Sequence, residues 1–316
     1  MELRYPCFPQ AYADLVYLIS TYGVVEQTRN GPAFVMEEPV LLHISNPRKR
    51  VIADSVRNAN PFFHVMETVW MLAGAHDPRW LEPFNKRIME YADGGALGTP
   101  VINGAYGYRW LRHWKNQIAD VIRILTEDPT SRQAVLAMWD PHLDLRTVAK
   151  DRPCNTHIYF RVREGCLEMT VCNRSNDLVW GMMGANAVHM SYLHEFIATA
   201  IGQKLGGYSV ITNNLHFYTE LYPNGKEILA RGDVFETIYP RSTFPILSPG
   251  EDWSRFLLEC KMFLDSKWEA ITCQWLRHVA FPMYEAYKLR QNGRVDDIAA
   301  DDWREACKRW LARNRR

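Results

Sequence analysis

In "DRPCNTHIYFRV" (151–162) one cysteine follows a proline and opens an alternating run. Ile158, Phe160 and Val162 share one face of what reads as a half-buried strand, so Cys154 stands at its mouth. A thiol placed there can reach a substrate and, once ionised, attack it; the competing reading is one more buried thiol. Three further polar runs gather nearby in the chain: "CNRSNDLVWG" (172–181), "GANAVH" (184–189) and "TNNLHFY" (212–218). Arg174 and Ser175 follow a strand, where a guanidinium and a hydroxyl can share a phosphate. His216 and Tyr218 alternate on one strand face and present two hydrogen-bonding tips side by side. Asn186 lies at the start of a helical pattern. Each also has a plain structural reading: Asn186 as a helix N-cap, Arg174 in a surface ion pair, His216 as a core histidine. Together they offer a thiol, a phosphate clamp, an amide and a His/Tyr pair, the outline of a nucleotide site.

The elements that must carry these residues mix helices with consecutive strands, which indicates an α+β fold. Helical spacing is expected over 11–22, over 61–74 with Gly74 as its stop, over 115–126 and over 186–202. Strands are expected over 33–46 with a break at Pro39, over 133–139, over 156–163 and 166–173 around a tight turn, and over 208–212. From 251 onward the chain reads as mostly helical. No repeat or linker divides it, so one continuous catalytic domain (1–250) with a helical C-terminal extension (251–316) packed on it is expected. The 316 residues carry a net charge of +1, so bulk electrostatics gives no case for nucleic acid or membrane binding. Seven scattered cysteines without a CxxC pair form neither a disulfide framework nor a zinc ribbon, and they suit a reducing cytoplasm. No HExxH-like spacing and no glycine-rich phosphate loop occurs, so no metal is expected, nor a dinucleotide or ATP enzyme. The first twenty residues read as neither a signal peptide nor a membrane span.

The ordered set "PCNT … NRSNDLVWG … AN … NNLHFY" resembles the thymidylate synthase superfamily, which includes the phage nucleotide hydroxymethylases. "TRNG" (28–31), "METVWMLAG" (66–74), "NGAYGYRW" (103–110) and "DPTSRQAVLAMWD" (128–140) agree with it, in the family's order. The resemblance implies a large mixed sheet flanked by helices, dimerising through the sheet. It implies a pyrimidine nucleoside monophosphate as substrate and 5,10-methylenetetrahydrofolate as co-substrate. Cys154 takes the place of the nucleophile that adds to C6 of the pyrimidine, and neighbouring arginines are expected to lower its pKa. Arg174 and Ser175 match the phosphate clamp, Arg29 a further phosphate arginine, and Arg132 an arginine that reaches the partner's site. The family's second cross-subunit arginine is here Gln133. Glu67 matches the glutamate that organises proton transfers around the base, and Tyr106 the tyrosine tied to loss of the C5 proton. His216 and Tyr218 match the pair that holds the sugar hydroxyl. Asp177 matches the aspartate near the pterin, with Trp180 and Gly181 where the folate would pack.

The departures from the pattern carry as much information. Asn155 replaces the histidine that follows the cysteine in synthases, and "GMMGAN" replaces a run with proline and an aromatic. Ungapped, the base-reading slot holds Ala185; with one inserted residue it holds Asn186, whose amide can pair with O4 and N3–H of uracil. The chain ends in a basic amphipathic segment rather than in a short apolar tail that closes over the folate. These departures point to water, rather than hydride, completing the reaction, and hence to hydroxymethylation of dUMP. Methylation of dUMP and either reaction on dCMP or CMP stay open. So does a different class, a nucleic-acid module using Arg304, Lys308, Arg309, Arg313, Arg315 and Arg316. For that tail the plainer reading is a helix that packs Trp303 and Trp310 inward.

Overall fold

The first strands come from short alternating stretches: β1 (Glu2–Tyr5), β2 (Val24–Thr28), β3 (Gly31–Val35) and β4 (Val40–Ile44), with Pro39 in the break between the last two. A small ribbon follows, β5 (Asp93–Gly94) with β6 (Pro100–Val101), and then β7 (Val135–Ala137), β8 (Asn155–Arg163) and β9 (Cys166–Asn173). The set ends with β10 (Asn176–Asp177), β11 (Lys204–Thr212) and β12 (Leu215–Tyr218). The helices that matter for the site are α1 (Phe8–Tyr22), α2 (Pro61–Leu72), α3 (Tyr106–Leu111), α4 (Gln117–Glu127), α5 (Pro141–Asp144) and α6 (Asn186–Ala200). Beyond them lie α7 (Trp253–Leu264), α8 (Phe281–Leu289), α9 (Asn292–Val295) and α10 (Asp301–Arg313). This computed structural model describes residues 1–146, 148–221, 225–227, 243–289 and 292–314.

A six-stranded mixed sheet in the order β1-β4-β11-β9-β8-β7 forms the centre, and a four-stranded sheet, β10-β12-β3-β2, lies beside it. In the larger sheet β1 runs parallel to β4 and β11 parallel to β9; its other pairings are antiparallel. One face is core: Leu42, Ile44, Leu136, Ile158, Phe160, Met169, Val171, Tyr208 and Val210 are all buried. α6 lies within that core, with every residue from Ala187 to Ala198 buried, as a helix apolar on most sides must. Residues of the other parity, Val135, Tyr159 and Ile211 among them, stay exposed on the opposite face.

The α+β expectation holds, and the boundaries differ where local pattern is weak. β1 is absent from the expected strands, because four residues, Glu2 to Tyr5, are too short to show a pattern and are fixed as a strand by pairing with β4. β2 is exposed along nearly its whole length and so carries no alternation to read. β11 starts at Lys204 rather than 208, because Gly206 and Gly207 and a register shift between Leu205 and Tyr208 interrupt its side-chain pattern. α1 begins three residues before the expected start, with Pro9 in its first turn. α4 begins at Gln117, where the Asn116 side chain accepts from Ala119 N–H.

α10 turns its tryptophans inward: Trp303 is 2 % and Trp310 9 % exposed. The Trp303 indole donates to Tyr192 Oη of α6 at 2.6 Å, and Trp310 packs edge-on against Phe62 of α2. Three of its cations are ion-paired, Arg304 with Asp301, Lys308 with Asp296 and Arg309 with Glu305, while Arg313 Nε donates to Asn58 Oδ1 at 3.4 Å. Arg315 and Arg316 lie outside the described residues.

Candidate active site

The β8–β9 hairpin decides where the thiol lies. Its turn holds Glu164 and Gly165 at positive φ, and its register sets Asn155 across from Asn173. One step further the Arg174 N–H donates to the Cys154 carbonyl at 3.0 Å, so nucleophile and guanidinium emerge from the same end of the sheet. Arg174 Nε donates to Pro153 O at 2.9 Å and Nη2 to Arg152 O at 3.2 Å, while Nη2 stands 3.9 Å from Cys154 Sγ. Behind it the guanidinium lies 5.5 Å from the centre of the Trp139 ring. It is therefore anchored to backbone rather than spent on a surface ion pair, and its exposed edge is free to meet an anion.

The expected lowering of the thiol pKa is corrected by this environment. Arg174 and Arg29 do pull it down, but burial pushes it up by more, and Asp151 and Asp177 add to the rise. Cys154 is thus held as a thiol that must lose a proton in order to attack.

Tyr106 opens α3, with its hydroxyl 3.4 Å from the backbone N–H of Asn155. Burial together with the charges of Cys154 and Asp151 keeps the phenol protonated well above its usual range. Gly107 permits this placement: a Cβ there would stand 1.7 Å from the carbonyl oxygen of Met71, so α3 closes directly onto the end of α2. Glu67 projects from α2, and burial plus Asp151 raise its carboxyl to about 8. Asp151 accepts the Gly104 N–H at 2.8 Å and is itself raised by burial. That loop is held by Arg109, wholly buried, which donates to Asn103 O at 2.7 Å and pairs with Asp144 at 2.8 Å.

The opposite wall comes from the smaller sheet. β10 pairs with β12 so that Asp177 is the register partner of His216. Asn214 Oδ1 accepts from Ser175 Oγ at 3.5 Å and faces His216 Nδ1 at 3.1 Å, tying the hydroxyl to the imidazole. The His216 and Tyr218 rings meet edge-on at 5.2 Å, and Tyr218 Oη accepts from Asn30 Nδ2 at 3.2 Å, beside Arg29 in the β2–β3 turn. Asp177 Oδ1 accepts the Trp180 N–H at 2.5 Å; its Oδ2 is buried and has no hydrogen-bond partner. The Trp180 side chain is 53 % exposed. Gly181 is required by close approach, because a Cβ would stand 2.3 Å from Asn176 Oδ1.

Residues 178–185 form a π-helical stretch that leads into α6 across a kink at Gly184, where φ is -107° and ψ -128°. A π turn takes up one extra residue in a helix, a form compatible with one inserted residue ahead of Asn186. Asn186 does not cap α6. No capping bond forms at that end, and its Nδ2 reaches Asn176 Oδ1 at 3.4 Å instead.

The structure therefore gathers Cys154, Arg174, Tyr106 and Glu67 on one side and Arg29, Ser175, Asp177, His216 and Tyr218 on the other. Arg132 is exposed just before β7, and none of the hydrogen bonds or ion pairs among the described residues ties it to this group. Sequence reasoning passed over Asp151, Asn214, Asn30, Trp139 and Arg57. Asp151 and Asn214 lie inside the polar runs already singled out, which was signal enough. Arg57 is buried, with its guanidinium 5.4 Å from the Tyr12 ring and close enough to Asp177 to act on it; only the tertiary fold brings it there.

Residues 10–245 match the family model described as thymidylate synthase. The deoxyuridylate hydroxymethyltransferase of Pseudomonas phage M6 is 37 % identical over 331 aligned positions, covering 97 % of this chain and 92 % of that protein. The deoxyuridylate hydroxymethyltransferase of Bacillus phage SP01 is 37 % identical over 226 positions, 67 % of this chain and 57 % of that one. A putative thymidylate synthase of Methanosarcina barkeri is 34 % identical over 148 positions, 45 % of this chain and 65 % of that one. With its mixed sheet, its hairpin-mounted cysteine and this match over most of its length, the chain belongs to the thymidylate synthase family.

Proposed function

We propose that this protein is a folate-dependent deoxyuridylate 5-hydroxymethyltransferase, converting dUMP, methylenetetrahydrofolate and water into 5-hydroxymethyl-dUMP and tetrahydrofolate. The observation that carries the choice of reaction is the likeness, across nearly the whole of both chains, to the phage M6 protein of that name. A pyrimidine nucleotide also suits the geometry. Arg174 and Ser175 hold the phosphate with Arg29, and His216 and Tyr218 hold the sugar hydroxyl. Asn186 reads the base edge, and Cys154 attacks C6.

The residues fit a folate. Asp177 Oδ2 is a buried acceptor with no partner, suited to a pterin N–H, and the Trp180 ring offers a flat apolar face beside Gly181. Bound there, methylenetetrahydrofolate supplies the one-carbon unit. Cys154 gives up its thiol proton as its sulfur bonds to C6 and makes C5 nucleophilic; C5 later loses its proton, and the S–C6 bond breaks to release the product once water has added. Tyr106 receives the Asn155 N–H on its oxygen and keeps its own O–H to hold a water at C5. Glu67, protonated near neutrality, donates to the base, and a water ends the reaction. α10 is folded against α2 and α6, and Asn314 exchanges hydrogen bonds with Asn58 at 3.1–3.3 Å. This supports the reading that the segment does not serve as a folate lid.

We further propose a homodimer formed through the uncovered face of the large sheet, with Arg132 reaching the partner's phosphate site. Tyr159 and Ile211, 47 % and 40 % exposed there, support it. No helix among the described residues is long and apolar enough to cross a membrane.

The test is incubation with methylenetetrahydrofolate and each of dUMP, dCMP and CMP, followed by mass analysis. dUMP gaining a methylene plus an oxygen, with tetrahydrofolate released, is the expected result. Gain of a methylene alone, with dihydrofolate formed, would identify a methylating synthase instead.

A further inference from the structure

His189 lies one turn into α6 and is 3 % exposed. Its Nε2 stands 3.3 Å from Glu67 Oε2, and neither atom has a hydrogen-bond partner. The imidazole is also bonded to the backbone of His64, one turn before Glu67 on α2. A short ring of contacts therefore joins the two helices: Glu67 carboxyl, His189 imidazole, His64 carbonyl. With its other nitrogen committed to that carbonyl, the ring presents a bare lone pair at Nε2 to the carboxyl.

We propose that His189 is a positioning residue, its neutral Nε2 accepting the Glu67 proton and so keeping that carboxylic acid loaded and aimed. The proposal rests on the reading of Glu67 as the proton-handling group of the reaction and adds to it the residue that holds the proton in place. The electrostatics agree. Burial lowers His189 to about 3 and raises Glu67 to about 8, so near neutrality one proton lies on the carboxyl and none on the acceptor nitrogen. The groups that bear on the pair are few. Asp151, from the segment before β8, favours the protonated Glu67. His64 on α2 is held neutral by burial, with Arg57 from the preceding loop and His189 itself acting in the same direction. An acid hydrogen-bonded in its neutral form holds its proton to higher pH, and it keeps one rotamer of its O–H.

The experiment compares His189→Leu, His189→Gln, Glu67→Gln and the double variant Glu67→Gln/His189→Leu, measuring kcat, KM for dUMP and the pH profile of turnover. His189→Leu is expected to lower kcat by about 10–100-fold, with KM within about twofold of the parent. It should also move the alkaline limb of the profile down by about half to one pH unit. His189→Gln, whose amide oxygen can accept the same proton, should recover most of the loss. The double variant should be no worse than Glu67→Gln alone, because both changes remove one function. Full turnover in His189→Leu, an unmoved limb, or losses that add in the double variant would overturn the proposal. If the leucine variant does not fold, His189→Ala is judged by the same limb. Intact turnover in Glu67→Gln would instead defeat the reading of Glu67, a result distinct from failure at His189.

Discussion

Arg174 Nη2 lies 3.9 Å from Cys154 Sγ while the rest of that guanidinium is tied to the carbonyls of Pro153 and Arg152. Three residues before the thiol, Asp151 acts on it with the opposite sign. Burial holds the group as a thiol, and on top of that a cation favours the thiolate while a carboxyl opposes it. Arg174→Lys loses the fork that fixes the charge and should slow alkylation of Cys154 at pH 7, by up to about tenfold. Asp151→Asn should speed it. Peptide-resolved labelling reads both rates; changes of the same sign in the two variants would contradict this balance.

Replacing Cys154 with Ser should abolish exchange of the C5 hydrogen of dUMP with solvent, followed by deuterium incorporation. An alkoxide is far harder to form here than a thiolate, since burial already disfavours even the thiolate. Retained exchange would remove covalent attack by this residue.

Asn186→Asp replaces an amide that can serve both N3–H and O4 by a carboxyl whose pattern suits cytosine. The ratio of kcat/KM for dUMP over dCMP should fall by about a hundredfold or more. An unchanged ratio would place the base-reading function elsewhere in the π turn.

Glu67 should also be visible in stability. Its carboxyl holds a proton to about 8 in the folded protein, against 4.5 ordinarily. Between those values the folded state binds more protons than the unfolded one, so stability falls as pH rises, by up to about 1.4 kcal/mol per unit. Glu67→Gln should flatten the curve over that window. Denaturant titrations of parent and variant at pH 5, 6.5 and 8 check this, and parallel curves would refute it.

Trp310→Ala should cost about 3 kcal/mol, because the ring packs between Phe62 and Tyr287 at 9 % exposure. Turnover measured well below the melting temperature should change little. With Arg304, Lys308 and Arg309 ion-paired, the protein should not bind single-stranded DNA in a steeply salt-dependent way. Fluorescence anisotropy against oligothymidine tests that expectation.

The hairpin that carries Cys154 was legible because its two strands alternate and their turn is local; the same register places Arg174 beside the thiol without help from the rest of the fold. The ordered motifs around Glu67, Tyr106, Asp177 and His216 were legible through family likeness. In sequence the base-reading slot could be aligned to Ala185 or, with one inserted residue, to Asn186; the π-helical form of the stretch before Asn186 was not visible, since a single residue leaves no periodic trace. β2 and the first half of β11 were hidden because an exposed strand and a pair of glycines show no alternation.

By itself, then, the sequence determined which chemistry-bearing residues are present, in what order, and which of them a local turn must bring together. Tertiary structure decided their state. The net rise in the thiol pKa, the protonated Glu67, the meeting of His189 with that carboxyl and the inward docking of α10 all depend on which helix covers which side chain. Desolvation is the reason: it is set by neighbours far away in the chain, and at Cys154 it outweighs the arginines that the sequence places close by.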